Sequence, residues 1–188
     1  NGADGIASGF STNIPNHNPL DILTWTRAWL DGKHASMPRL TPWYRGIKGE
    51  IKLLYDKDGN PEKWRTKGIL EEGKNGWWDI KDLPVGKWTN PFKDELVYLE
   101  TGESATKKKD KNWTRSISDF NNYSTANLVH FKIKPAGDWR PSMNTTLKSL
   151  QTTKSLGNMR AINEDNFPTL YKSAEELINE WCGHRLYY

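Results

Sequence analysis

A single cysteine, Cys182, occurs in the 188 residues, so the fold has no internal disulfide framework and suits a reducing compartment. No apolar run approaches the roughly 20 residues of a membrane helix. No charged-then-apolar leader opens the chain, and these two absences together predict a soluble, intracellular protein without a membrane partner. Apolar residues are scarce, at 35% with a mean hydropathy of −0.84, yet 12% aromatic content with 10 Trp excludes a disordered chain. Large rings must fill the core. Neither charge dominates: Lys and Arg number 27 against 23 Asp and Glu, and the pI near 9.0 permits a polyanionic partner without demanding one. Three Asn-x-Ser/Thr triplets, at Asn112, Asn122 and Asn144, would be glycan acceptors only in a secreted chain. No internal repeat is visible.

What is present reads as one α+β body: a small mixed, mostly antiparallel sheet with flanking helices. Gly2 to Ser11 is rich in Gly and Ala around Ile6 and predicts a loop whose backbone passes close to something. Asn18, Pro19 and Gly32 bracket a helix over 19–31 with Ile22, Trp25 and Trp29 on one face. Gly46 to Tyr55 alternates toward a strand, and Asp56-Lys57-Asp58-Gly59-Asn60 supplies turn chemistry. Trp64 to Leu70 and Trp77 to Ile80 continue the sheet. A second helix starts near Thr89-Asn90-Pro91, carries Phe92, Leu96 and Leu99 on one face and stops before Gly102. Thr106 to Asn112 is a charged loop; strands are expected at Leu128 to Ile133, Leu147 to Thr153 and Met159 to Ile162. Ser173 and Glu176 form a capping box for a last helix that buries Leu177, Ile178 and Trp181. The turn-like opening Asn1-Gly2-Ala3-Asp4-Gly5 and the final Tyr187-Tyr188, directly after a helical pattern, predict a piece of a longer chain.

Several separated blocks resemble one family. Asn1-Gly2-Ala3-Asp4-Gly5-Ile6-Ala7-Ser8-Gly9-Phe10-Ser11-Thr12 is similar to the loop of type IIA DNA topoisomerases that carries their DNA-wedging isoleucine. Pro42 to Gly49 (PWYRGIKG) resembles the lead-in to that family's tower, and Leu83-Pro84-Val85-Gly86-Lys87-Trp88-Thr89 its strand-to-helix corner. Ile117-Ser118-Asp119 with Val129-His130-Phe131 matches a strand pair. Leu150-Gln151-Thr152-Thr153, Asn158-Met159 and Arg185-Leu186-Tyr187-Tyr188 match the stretch that closes the tower and leads into the coiled coil. The blocks run in order over nearly the whole chain and favour the eukaryotic and large-virus branch. Ala7 stands where the family usually has Gly, and Gly86-Lys87 displaces an Arg. The resemblance implies a wedge loop over 1–18, a tower over 19–172 and a helix toward the coiled coil over 173–188.

It also implies an ATP-dependent, Mg²⁺-using, homodimeric parent enzyme acting on double-stranded DNA in a nucleus or a viral factory, with this fragment monomeric and inactive alone. The family's nucleophile is a tyrosine preceded by arginine, and no Arg-Tyr pair occurs here; the seven tyrosines read as packing or surface residues. Glu100-Thr101-Gly102-Glu103-Ser104-Ala105 only superficially resembles the family's acidic metal motif. Asp56 to Asn60 fails as a calcium loop because Pro61 and Lys67 occupy the glycine and terminal carboxylate positions. Cys182 and the four scattered histidines lack metal spacing, so neither a metal nor a cofactor is expected in this segment.

The expected role is DNA binding and bending. Ile6, stiff at Cβ and flanked by small residues, can slide between base pairs from the minor groove, whereas without the resemblance it would plug a local core. Ser8 beside it, Lys48 and Lys52 at like parity on the expected strand, and Lys154 with the hydroxyls of Thr152 and Thr153 are candidate backbone contacts. Lys107, Lys108, Lys109, Lys111 and Arg115, opposed by Asp110 alone, are further candidates, although a solvated loop is the plainer reading. Two other readings stay open: a non-catalytic tower-like scaffold, and a Trp-rich module that stacks on sugar rings.

Overall fold

The computed structural model describes residues 2–34, 37–103, 105 and 111–187. In chain order the elements are β1 (Ala3–Ala7), β2 (Phe10–Ile14), α1 (Pro19–Leu30), β3 (Ile51–Tyr55), β4 (Pro61–Lys67), β5 (Ile69–Glu72), β6 (Trp78–Asp82), α2 (Thr89–Thr101), β7 (Ile117–Asn122), β8 (Phe131–Pro135), a 3-10 turn (Lys148–Leu150), β9 (Gln151–Ser155), β10 (Arg160–Ile162), β11 (Pro168–Leu170) and α3 (Ala174–Leu186). The α+β expectation holds. Where the sequence suggested one body, however, there are two compact units: residues 1–45, 51–65 and 153–188 form the first, residues 46–50 and 66–152 the second.

In the first unit α1 begins where Asn18 accepts the Leu20 N–H at 3.0 Å and ends at Asp31, followed by Gly32 at φ +70. Trp25 is buried with Leu40 and Cys182, and Trp29 donates from Nε1 to Asn179 Oδ1 at 2.8 Å, tying α1 to α3. Ser173 caps α3 by accepting the Glu176 N–H at 3.1 Å; Glu176 reaches back to the Lys172 N–H at 2.6 Å, one residue beyond the usual box partner. Trp181, expected in the core, is instead 56% exposed, because the buried stripe of this helix runs through Ile178 and Cys182.

The second unit packs α2 on one face of the four-stranded antiparallel sheet β5-β6-β8-β7. Phe92 and Leu96 meet Ile80, Ile117, Phe131 and Ile133, all fully buried, and the Phe92 and Phe131 rings cross edge to face at 5.2 Å. Gly102, at φ +82, ends α2 in the left-handed conformation. The stretch Trp64 to Leu70 is not one strand. A Cβ at Gly68 would sit 2.3 Å from the Asp82 carbonyl oxygen, and this close backbone approach divides the segment into β4 and β5, which belong to different sheets. Similarly, the strand expected from Gly46 begins only at Ile51. The backbone N–H groups of Lys48 and Gly49 bind Asp82 Oδ2 at 2.6 and 2.8 Å instead of a ladder partner. Lys48 therefore does not share a strand face with Lys52.

Two consequences concern stability. Asp82 is 6% exposed and gathers the N–H groups of Lys48, Gly49 and Leu83, so Asp82→Ala orphans the buried Leu83 donor at about 1–3 kcal/mol and removes the acceptor of two part-buried ones. Urea denaturation reads this directly, and an unchanged midpoint would refute it. On the polar face of the sheet, Asp79 lies 2.7 Å from His130 Nε2 and 3.8 Å from Lys132 Nζ. Hydrogen bonding to His130, aided by the Lys132 charge, holds the Asp79 carboxyl below its ordinary value despite partial burial. The folded pKa is depressed, so this contribution is complete above the ordinary value of about 4 and is lost as pH falls through the depressed one. Asp79→Asn should therefore be more damaging at pH 7 than at pH 3. Equal destabilisation at both pH values in parallel urea titrations would contradict that.

Candidate nucleic-acid interface

Residues 3 to 14 form a β-hairpin rather than a loop. β1 and β2 pair antiparallel, with Gly5 opposite Thr12, Ile6 opposite Ser11 and Ala7 opposite Phe10, and Ser8-Gly9 makes the turn with Gly9 at φ +92. The Ser-Gly pair was a usable turn signal; the small residues around it hid the strand alternation. At the base of the hairpin, the backbone does pass close to another segment: a Cβ on Gly2 would fall 2.0 Å from Asn16 Oδ1. At the tip the opposite holds, since a Cβ on Gly9 would meet nothing within 4 Å. Between them Ile6 is 92% exposed. The structure thus overturns the core-plug reading and leaves an aliphatic side chain projecting into solvent two residues before the turn.

Bonds to the segment 158–160 hold the ribbon within the first unit. Asn13 N–H donates to the Asn158 carbonyl at 2.8 Å. The Thr12 hydroxyl donates to the Arg160 carbonyl at 2.7 Å and accepts the Arg160 N–H at 3.1 Å. Asn158 Nδ2 donates to Ser11 Oγ at 2.9 Å.

The expected cationic contacts do not behave alike. Ser8 is exposed in the hairpin turn, and Lys52 is exposed on β3. Lys154, on β9, is half-buried and lays its ammonium 5.6 Å from the centre of the Trp64 ring, which in turn stacks on Tyr44 at 5.6 Å. Thr152 and Thr153 are neighbours on the same strand and project to opposite faces, so a single surface presents only one of the two hydroxyls; Thr153 is the exposed one. In the second unit Lys48 is exposed in the turn before β3, and Lys111 is exposed. Arg115 donates to the carbonyls of Ile117 and Ser118 at 3.0 and 2.7 Å and lies 3.5 Å from Glu100, so its guanidinium anchors the start of β7. Lys107, Lys108 and Lys109 lie outside the described residues.

Groups that could do chemistry are engaged structurally. Glu100 and Thr101 lie in the last turn of α2 and Gly102 is its cap, a placement unlike a strand-end metal motif. Asp56 accepts the N–H groups of Asp58 and Asn60 at 2.9 and 2.8 Å, which makes a turn. Burial lowers the His17 pKa; His130 lies on Asp79, and His184 Nδ1 is 3.4 Å from Glu164. Among the described residues no group of three His, Cys, Asp or Glu side chains is arranged to hold a metal ion.

Comparison with known proteins agrees with this geometry. A family model for the A-type subunit of DNA gyrase/topoisomerase IV matches residues 1–188. Proteins named DNA topoisomerase 2 from Penicillium chrysogenum and Arabidopsis thaliana are 29% and 30% identical over 100% of this chain, which spans 11% and 12% of their lengths. The mitochondrial DNA topoisomerase 2 of Dictyostelium discoideum is 31% identical over 99% of the chain, or 13% of its own length. The crystal structure of the Plasmodium falciparum topoisomerase II DNA-binding, cleavage and re-ligation domain superposes with a TM-score of 0.80 at 26% identity, covering 100% of this chain and 24% of that one. With the hairpin and its exposed isoleucine in place and the match running from end to end, the chain belongs to the DNA gyrase/topoisomerase IV family and is a type IIA DNA topoisomerase segment of the eukaryotic kind.

Proposed function

We propose that this chain is the DNA-bending part of an ATP-dependent type II DNA topoisomerase, which passes one duplex through a transient double-strand break in another. The observation that carries the proposal is Ile6, 92% exposed beside the hairpin turn. Unstacking one base step costs a few kcal/mol, and burying an isoleucine side chain between the separated pairs returns about 1.5–3 kcal/mol. The two are comparable, so modest phosphate contacts tip the balance toward a bent duplex, and selection falls on deformable steps rather than on base identity. Ser8 at the turn is adjacent to the wedge. Lys48, Lys52, Thr153, Lys154 and the cations at Lys107, Lys108, Lys109 and Lys111 are the proposed backbone contacts. Thr152 is less suited because strand alternation turns it from the exposed face, and Arg115 because its guanidinium anchors β7.

In this reading residues 1–18 serve as the wedge region, 19–172 as the tower and 173–188 as the helix toward a coiled coil. The attacking tyrosine, the Mg²⁺-binding carboxylates and the ATP site belong to the rest of a homodimeric enzyme, so this segment shapes the duplex that other residues cut. The compartment is intracellular, a nucleus or viral factory by the sequence resemblance, to which a relative named mitochondrial adds a third setting.

Ile6→Ala in the intact enzyme should reduce DNA bending, measured by energy transfer across an end-labelled duplex, and reduce cleavage. Its stability should change by no more than about 0.5 kcal/mol, as expected at an exposed position. Unchanged bending would refute the wedge. Affinity for duplex should also fall steeply with salt, each neutralised phosphate adding about 0.9 to the log–log slope. A flat salt response would assign the basic residues to protein contacts.

A further inference from the structure

We infer that Thr12 and Asn158 are positioning residues for the wedge, their side chains locking the hairpin directly opposite Ile6; the inference rests on the DNA-bending reading above. A two-stranded ribbon is marginally stable in water. A wedge carried on such a ribbon bends DNA only if the ribbon does not yield first. The cross-strand partners of Gly5 and Ile6 are Thr12 and Ser11, and these are the residues bound to the segment 158–160.

The form of the anchor is specific. One oxygen, Thr12 Oγ1, donates to the Arg160 carbonyl at 2.7 Å and accepts the Arg160 N–H at 3.1 Å, performing both halves of a strand ladder with a side chain. Asn158 contributes twice: its carbonyl takes the Asn13 N–H at 2.8 Å, and its Nδ2 reaches Ser11 Oγ at 2.9 Å. The far side of this segment is fixed in the unit's interior. Met159, 1% exposed, accepts the N–H of Tyr171 at 2.8 Å, and Tyr171 is itself buried. The wedge is thereby coupled to buried structure through two polar side chains that need touch no DNA.

The test uses the full-length protein with an end-labelled duplex at saturating concentration, comparing wild type, Ile6→Ala, Thr12→Val, Thr12→Ser and Asn158→Ala. Thr12→Val keeps the shape and removes the hydroxyl. It should lower the bent-to-straight ratio by about fivefold, the factor of one net hydrogen bond, with binding affinity nearly unchanged, and Thr12→Ser should restore bending. Without DNA, amide exchange in β1 and β2 should accelerate in Thr12→Val while exchange in α2 stays constant. If Ile6→Ala lowers bending and Thr12→Val bends like wild type, the positioning role is overturned while the wedge stands. If Ile6→Ala leaves bending intact, the wedge reading fails and takes the inference with it. A Thr12→Ser variant as defective as Thr12→Val would show that keeping the hydroxyl does not sustain bending and would overturn the hydroxyl clamp. Should Thr12→Val lose its fold by circular dichroism, Asn158→Ala carries the same expectation and the same refutation.

Discussion

The candidate function depends on the attachment of a small hairpin to the segment 158–160. An aliphatic side chain at 92% exposure gains nothing from the fold that displays it, so its presentation has to be sustained by interactions elsewhere. Those interactions are polar and few: the Thr12 hydroxyl, the Asn158 amide and one backbone bond from Asn13. They join residues about 146 positions apart in sequence, so the hairpin acquires its anchor only when the two ends of the chain have come together.

The two units solve the burial problem differently. The second has a conventional core, a helix laid on one face of a four-stranded sheet with aromatic and branched side chains interlocked between them. Its irregular turn at Lys48 and Gly49 is organised by a single carboxylate, Asp82, which substitutes for a missing ladder. The first unit sets Trp25, Leu40 and Cys182 at the centre of a smaller cluster, and side-chain to backbone bonds from Asn18, Glu175, Ser173 and Thr12 fix its turns and helix ends. That is the unit carrying the hairpin with Ile6. Positions held by directional bonds rather than bulk packing can place a small feature accurately while leaving its tip bare, which is what an intercalating residue requires.

Legibility from sequence followed locality. The ends of α1 and α3 were readable because Asn18, Gly32 and Ser173 act on their immediate neighbours. So was the end of α2 at Gly102. The hairpin was not legible because Gly and Ala in β1 and the polar run Ser11-Thr12-Asn13 in β2 erase the alternation that normally marks a strand pair, and because the segment that anchors it, Asn158 to Arg160, is remote in sequence. Trp181 was misassigned because Leu177, Ile178 and Trp181 span a helical stripe as plausibly as Ile178 and Cys182, and periodicity alone cannot choose between adjacent stripes. Within the candidate interface, Ile6 was legible through its family setting. The different fates of Arg115, Lys154 and Lys52 were not, since each depends on which carbonyl, ring or solvent the folded chain places around it.

Sequence alone determined the family, the α+β class, the helix ends and the absence of an Arg-Tyr pair, all of which reside in residue identity and short-range spacing. Tertiary structure decided that Ile6 is exposed rather than buried in a local core, because exposure is a property of what surrounds a side chain and not of the side chain itself. It likewise decided that Thr12, an unremarked residue in a polar stretch, would complete a ladder with Arg160. A hydroxyl has no partner until long-range folding supplies one.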